Sequence, residues 1–174
     1  MVGYLKLQLW VEAEGNDDMD LFVWLQKLDR RGGLLSHIPI PLPKPMLWFI
    51  RTAFKYGLLK SKIPSMINYT GPYGQLRVSL RRLDEEISTS SEPYYPFKEV
   101  QPLKPGQIVP VDIALWPTGM RYHAGEQLCV IVTGYNIRGP FLPSLPKSET
   151  INKGYHVIHT GGKYDSHLLV PIIP

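Results

Sequence analysis

The sequence holds one cysteine, Cys129, so no disulfide can close within the chain. Cys129 sits in the apolar run LCVIV, with no base beside it to make a nucleophilic thiolate, and reads as a small buried hydrophobe. A lone thiol fits a reducing, cytoplasmic compartment slightly better than an oxidising one; location is otherwise open. No apolar run is long enough to span a bilayer, and the N-terminal MVGYLKLQLWVEAE alternates where a signal peptide would carry a continuous apolar core, so no membrane role is expected. There is no basic stripe either. The net charge is +4, and the only adjacent cations are scattered pairs such as Arg30–Arg31 and Arg81–Arg82, which argues against a nucleic-acid partner. No repeat period is visible, which excludes a propeller. No serine lies in a G-x-S-x-G context, so the strand–turn–helix elbow that exposes a hydrolase nucleophile is missing.

One triplet invites the opposite conclusion. Asp165, Ser166 and His167 are the residue types of a serine-hydrolase triad, side by side. A triad converges from separate parts of a chain, however, and HLLVPII reads as a strand, where successive side chains point to opposite faces. Ser166 then faces away from both neighbours, and the triplet is the polar mouth of a strand. The turn Gly15–Asp20 (GNDDMD) gathers three carboxylates and Asn16 but lacks the spacing and the bidentate Glu of a calcium loop. Turns are rich in Asp and Asn because these side chains cap backbone groups. Of the five histidines, His37, His123, His156, His159 and His167, the HVIH pair falls on opposite strand faces, so no zinc set forms. No catalytic, cofactor-binding or metal-ligating residue is therefore assigned, and no cofactor is expected.

Proline and glycine are plentiful, at seventeen and fifteen, and punctuate short strands, the pattern of an all-β sandwich. With 174 residues, 44% of them hydrophobic, the chain is read as one domain over 1–174. In the first strand Leu5, Leu7, Leu9 and Val11 share one face, while Lys6, Gln8, Trp10 and Glu12 share the other. The run Leu21–Leu25 is apolar on both faces and predicts a central strand, expected to pair with the first as a hairpin across EGNDD. Further strands are predicted in QLRVSL, IVPVDIALW, GEQLCVIVTG, YHVIHT and HLLVPII. Val111, Ile113, Val130 and Val132 are the expected core. Residues 34–68 read as an insertion, proline-alternating and then helical, with Leu47, Ile50, Phe54 and Leu58 on one side. Antiparallel pairing through turns predicts a β-sandwich of jelly-roll type. Trp10, on an otherwise polar strand face, is the candidate interface residue, and weak self-association through it is expected. The chain enters its first strand with almost no lead-in, which suggests a piece of a longer protein.

The segments LKLQLWVEAEGNDDMDLFVWLQKLD, GQLRVSLRRLDE, PYYPF, LKPGQIVPVDIALWPTG and GGKYDSHLLVPIIP resemble the C-terminal domain of X-prolyl dipeptidyl-peptidases and the related cocaine esterases (the CocE/NonD serine hydrolases). The likeness runs from Gly3 to Pro174 and is weakest over 34–68. It implies a jelly roll of galactose-binding-like shape that follows an α/β-hydrolase catalytic domain, packs on it and helps shape the rim of its pocket. Nucleophile, acid and base lie in that other domain, so none is carried over here, and this chain alone is expected to be inactive. Tyr95 stands where relatives often have His. The partner implied is the catalytic domain of the same parent protein. The alternatives are a free-standing carbohydrate- or ligand-binding module and a self-contained enzyme, the latter opposed by the absent elbow.

Overall fold

The computed structural model describes residues 1–35, 71–137 and 149–173, together with Pro45, Trp48 and Thr52. Strand β1 (Val2–Glu14) buries Leu5, Leu7, Leu9, Val11 and Ala13 and leaves the alternating polar residues half covered. It pairs antiparallel with β5 (Val109–Gly119) along one edge, in a register that sets Leu7 against Ile113 and Val11 against Val109. Its other edge is shared end to end by β7 (Tyr155–His159) and β8 (His167–Leu169). The second sheet is built in the same way around β2 (Asp20–Leu28). One edge of β2 takes β6 (Gln127–Thr133). The other takes β4 (Tyr73–Arg77) and the two-residue β3 (Leu34–Leu35). Among the described residues all pairings are antiparallel and form two four-stranded sheets; the fold is an all-β sandwich.

Alternation decides which residues fill the space between the sheets. Leu21, Val23 and Leu25 of β2, with Leu76 and Val78, face Val109, Val111, Ile113 and Leu115 of β5 and the apolar face of β1. Burying each such side chain is worth roughly 1.5–3 kcal/mol. Phe22 and Trp24, on the other face of β2, are buried too and stack at 6.0 Å, so β2 is apolar on both faces, as a central strand should be.

Three expectations change. β1 and β2 are not a hairpin, because they belong to different sheets, and the Gly15–Met19 turn carries the chain across the sandwich. In that turn the Asp18 carboxylate accepts the N–H groups of Met19 and Ser79, both at 2.8 Å, and Asn16 donates to the Asp18 carbonyl. Val130 is not core. It points to the inner side of its sheet, opposite Leu25, but remains 39% exposed. Among the described residues β6 pairs with β2 alone, at the edge of its sheet, and of its inner residues only Val132 packs against the core cluster. Leu128, on the same side of β6, is likewise exposed. The strand in QLRVSL stops at Arg77, and Val78–Leu80 forms a 3-10 turn. The helix expected around Leu47, Ile50, Phe54 and Leu58, and with it nearly all of the 34–68 insertion, lies outside the described residues.

Candidate docking surface

Within the triplet, Ser166 is tied to backbone. Its hydroxyl donates to the carbonyl of His159 at 2.7 Å and accepts the Trp10 N–H at 3.0 Å. It sits where β7 has ended and β8 has not begun, and supplies the β1 ladder with the acceptor missing in that gap. His167 Nδ1 turns back on Asp165, 3.0 Å from its carbonyl and 3.4 Å from its carboxylate. The three residues close a strand junction, with Ser166 hydrogen-bonded to backbone.

The same junction takes Trp10 out of contention as the interface residue. Its ring packs on Tyr164, centroids 5.5 Å apart, and Tyr164 also lies 5.0 Å from the His159 ring. His159 Nε2 is 3.0 Å from the Glu12 carboxylate. The turn after β7 therefore folds over the polar face of β1, and the partner this tryptophan requires comes from within the chain.

A second tryptophan on the outer surface of the same sheet is left open. Trp116 alternates with the core residue Leu115 near the end of β5 and is 61% exposed. Its ring stacks on Tyr73 at 5.2 Å and 24°. The contact depends on Gly74, the next residue of β4. A Cβ there would lie 2.2 Å from the Ala114 carbonyl, so only glycine lets the two backbones approach this closely. Around the ring pair, Tyr4, Ile87 and Tyr94 remain exposed and line a cleft of about 630 Å³, with Gln75 and Glu92 at its sides.

Ile87 and Tyr94 belong to a segment over 84–100 that runs outside the β5 edge without strand structure. It is nonetheless fixed. Asp84 N donates to Tyr94 O at 3.0 Å, Thr89 N to Glu92 O at 3.0 Å and Gln101 N to Ser79 O at 2.7 Å. Tyr95 turns inward against the core. Its hydroxyl and Asp112 Oδ1 have no protein partner, while Lys6 holds Asp112 Oδ2 at 3.0 Å. Burial, reinforced by the Asp112 carboxylate, pushes the Tyr95 phenol well above its ordinary range. Phe97 turns outward with φ at +51° and stacks on Tyr95 at 5.8 Å.

Asp20, from the GNDDMD turn, is fully engaged. It accepts Arg77 Nε and Nη2 at 2.8 and 3.0 Å and the Ile151 N–H at 3.1 Å. Burial alone would raise its carboxyl, but these hydrogen bonds outweigh burial and hold it below the usual carboxylate range. Asn152 bonds both the N–H and the carbonyl of Asp20 and adds the Gly134 carbonyl, fastening the 149–152 segment to β2. Burial lowers His156 beside it, against the pull of the Asp20 charge. Among the described residues no group of three metal-ligating side chains comes together.

Trp116 was findable by alternation, since IVPVDIALW puts it opposite Leu115. Tyr73 and Phe97 carry no such signal, because the first depends on the approach at Gly74 and the second on a backbone angle.

The family model described as "X-Pro dipeptidyl-peptidase C-terminal non-catalytic domain" matches residues 1–169. Two solved structures of a CocE/NonD family hydrolase from Staphylococcus aureus are similar to the chain. One is 36% identical over 100% of it and the other 37% identical over 99%, both with a TM-score of 0.79. The chain spans 28% of the length of either hydrolase. Among curated proteins none matches. This all-β sandwich, matched over nearly its whole length, belongs to the family of X-Pro dipeptidyl-peptidase C-terminal non-catalytic domains.

Proposed function

We propose that this chain, as a single domain over 1–174, is the docking and supporting domain of a serine hydrolase of the dipeptidyl-peptidase and esterase class. It packs on the α/β-hydrolase domain of the same parent protein and braces the rim of its substrate pocket. The observation that carries this is the open aromatic cleft of Trp116, Tyr73, Tyr4 and Tyr94. Clustered exposed aromatic surface marks an interaction site, and domains of one chain typically share roughly 600–1,500 Å². The family's description as C-terminal and non-catalytic, and the 28% share of the solved hydrolases, support a larger partner in the same protein.

Two measurements test this. The coding sequence upstream of Met1 should encode an α/β-hydrolase domain with a G-x-S-x-G elbow; its absence would remove the partner. The 174-residue chain should show no turnover of X-Pro nitroanilides or short-chain nitrophenyl esters. Turnover that survives repurification and disappears in Ser166→Ala would make the chain an enzyme in its own right. A second reading, a carbohydrate-binding module, rests on the same Trp116–Tyr73 stack with Gln75 and Glu92 beside it. Quenching of Trp116 by a panel of oligosaccharides, with no effect of the hydrolase domain, would favour it.

A further inference from the structure

Phe97 is the one non-glycine residue with positive φ among the described residues. A bulky side chain in the left-handed region costs about 1 kcal/mol or more and persists only where the surroundings impose it. Among the described residues the ring contact of this side chain is the stack on Tyr95. The side chain is 61% exposed, and a glycine would take the same turn without strain. What the turn achieves is display. Tyr95, anchored against the core, forms the base of a two-ring stack, and Phe97 is its outer ring. The ring stands as a ridge between two grooves. One, of about 980 Å³, has Leu80, Val109 and Pro110 in its walls and is bordered by the Arg82–Glu99 ion pair. The other, of about 320 Å³, contains Leu76, Arg77 and Asp20.

The ridge continues the aromatic cleft. Tyr94 lines the cleft, Tyr95 dives inward, and Phe97 emerges two residues later. Along β5 the two features lie at Trp116 and Pro110, about 20 Å apart at the rise of an extended strand. That is the scale of one interdomain interface.

We propose that Phe97 is the anchor of the docking surface, held at a strained angle so that its ring inserts into an apolar socket on the hydrolase domain of the parent protein. This rests on the docking function above and adds a residue and a mechanism to it. The occupant is that domain because the matched family is C-terminal and non-catalytic, and because most of the solved hydrolases' length lies outside the 28% matched here. Aromatic side chains, Phe among them, are enriched at such interfaces, and the residues that dominate binding energy fill well-packed pockets on the partner.

Strain and docking predict opposite signs in two contexts. In the isolated chain, Phe97→Gly should leave the melting temperature unchanged or raise it by a few degrees, because it removes an unfavourable φ. In the parent protein, hydrolase domain included, the same substitution should lower the melting temperature or split one unfolding transition into two. Phe97→Asn, which tolerates the left-handed angle without the ring, should behave likewise and guards against a folding defect peculiar to glycine. Equal destabilisation in both contexts would make Phe97 an internal packing residue and overturn the proposal. So would self-association of the isolated chain that Phe97→Gly abolishes, since the socket would then belong to a second copy. Failure of the docking function itself looks different: the wild-type parent would already unfold in two independent transitions, insensitive to Trp116→Ser. If Trp116→Ser uncouples the domains and Phe97→Gly does not, the cleft docks and Phe97 does not anchor it.

Discussion

Trp10 and Trp116 lie on the outer surface of the same sheet and have opposite fates. Trp10 is half covered, with Tyr164 against its ring and Ser166 on its N–H. Trp116 has a ring partner on one side, Tyr73, and stays 61% exposed. A tryptophan on a polar strand face requires something to pack on, but its strand does not say where that comes from. For Trp10 the chain provides it nine residues after β7 begins to pair, at Tyr164, through the turn that leads to β8. For Trp116 no such cover comes from the described residues, and the cleft around it is where we propose that a second body fits. Half-buried aromatics therefore report the domain's own closure, while exposed clustered ones report its surroundings.

The largest effects calibrate this contrast against the core. Ile113→Ala, at a fully buried position, should cost about 2–5 kcal/mol in denaturant unfolding of the isolated chain, and Val130→Ala less than about 1 kcal/mol. Equal losses would mean that β6 is core after all. Trp10→Ala should cost roughly 2 kcal/mol through lost burial and the ring contact with Tyr164. Trp116→Ala should stay under about 1 kcal/mol in the same chain, and a reversal of this order would erase the distinction drawn above. Ser166→Ala should cost about 1–2 kcal/mol, because it strips the Trp10 N–H of its acceptor at the β7–β8 gap; a neutral result would show that water replaces it.

The Asp20–Arg77 tie sets the smallest effect and a sign. The folded-state carboxyl is held below its ordinary value, so its contribution is complete above the unfolded pKa of about 4 and is lost as pH falls from there through the folded value. Asp20→Asn should therefore flatten the acid side of the stability curve below about pH 4. His156, lowered chiefly by burial, acts in the same direction at higher pH: protonation opposes folding as pH falls through its unfolded value of about 6.5. An unchanged acid slope in Asp20→Asn would place the acid sensitivity elsewhere.

Much of the sandwich was legible because period-two alternation is local. Leu5 to Val11 and Val109 to Leu115 sort themselves by face without any partner in view. The β1–β2 connection was not legible, since a short polar turn serves equally to return within a sheet or to cross between sheets. Val130 was misplaced because an apolar residue on the inner face of an edge strand has the sequence of a core residue, whereas here it stays 39% exposed among the described residues. Trp116 was legible and overlooked beside Trp10. The rest of the surface depends on contacts no window of sequence contains: the backbone approach at Gly74, the inward turn of Tyr95 and the positive φ of Phe97.

The central claim is that the Trp116 cleft is covered in the parent protein while the Trp10 face already packs within the domain. Oxidative footprinting read by mass spectrometry tests it in one comparison, residue by residue, between the 174-residue chain and the parent protein containing the hydrolase domain. Trp116 and Phe97 should label readily in the isolated chain and be protected several-fold in the parent, with Trp10 labelling slowly and equally in both. Trp116 labelling as fast in the parent as in the isolated chain would contradict the account.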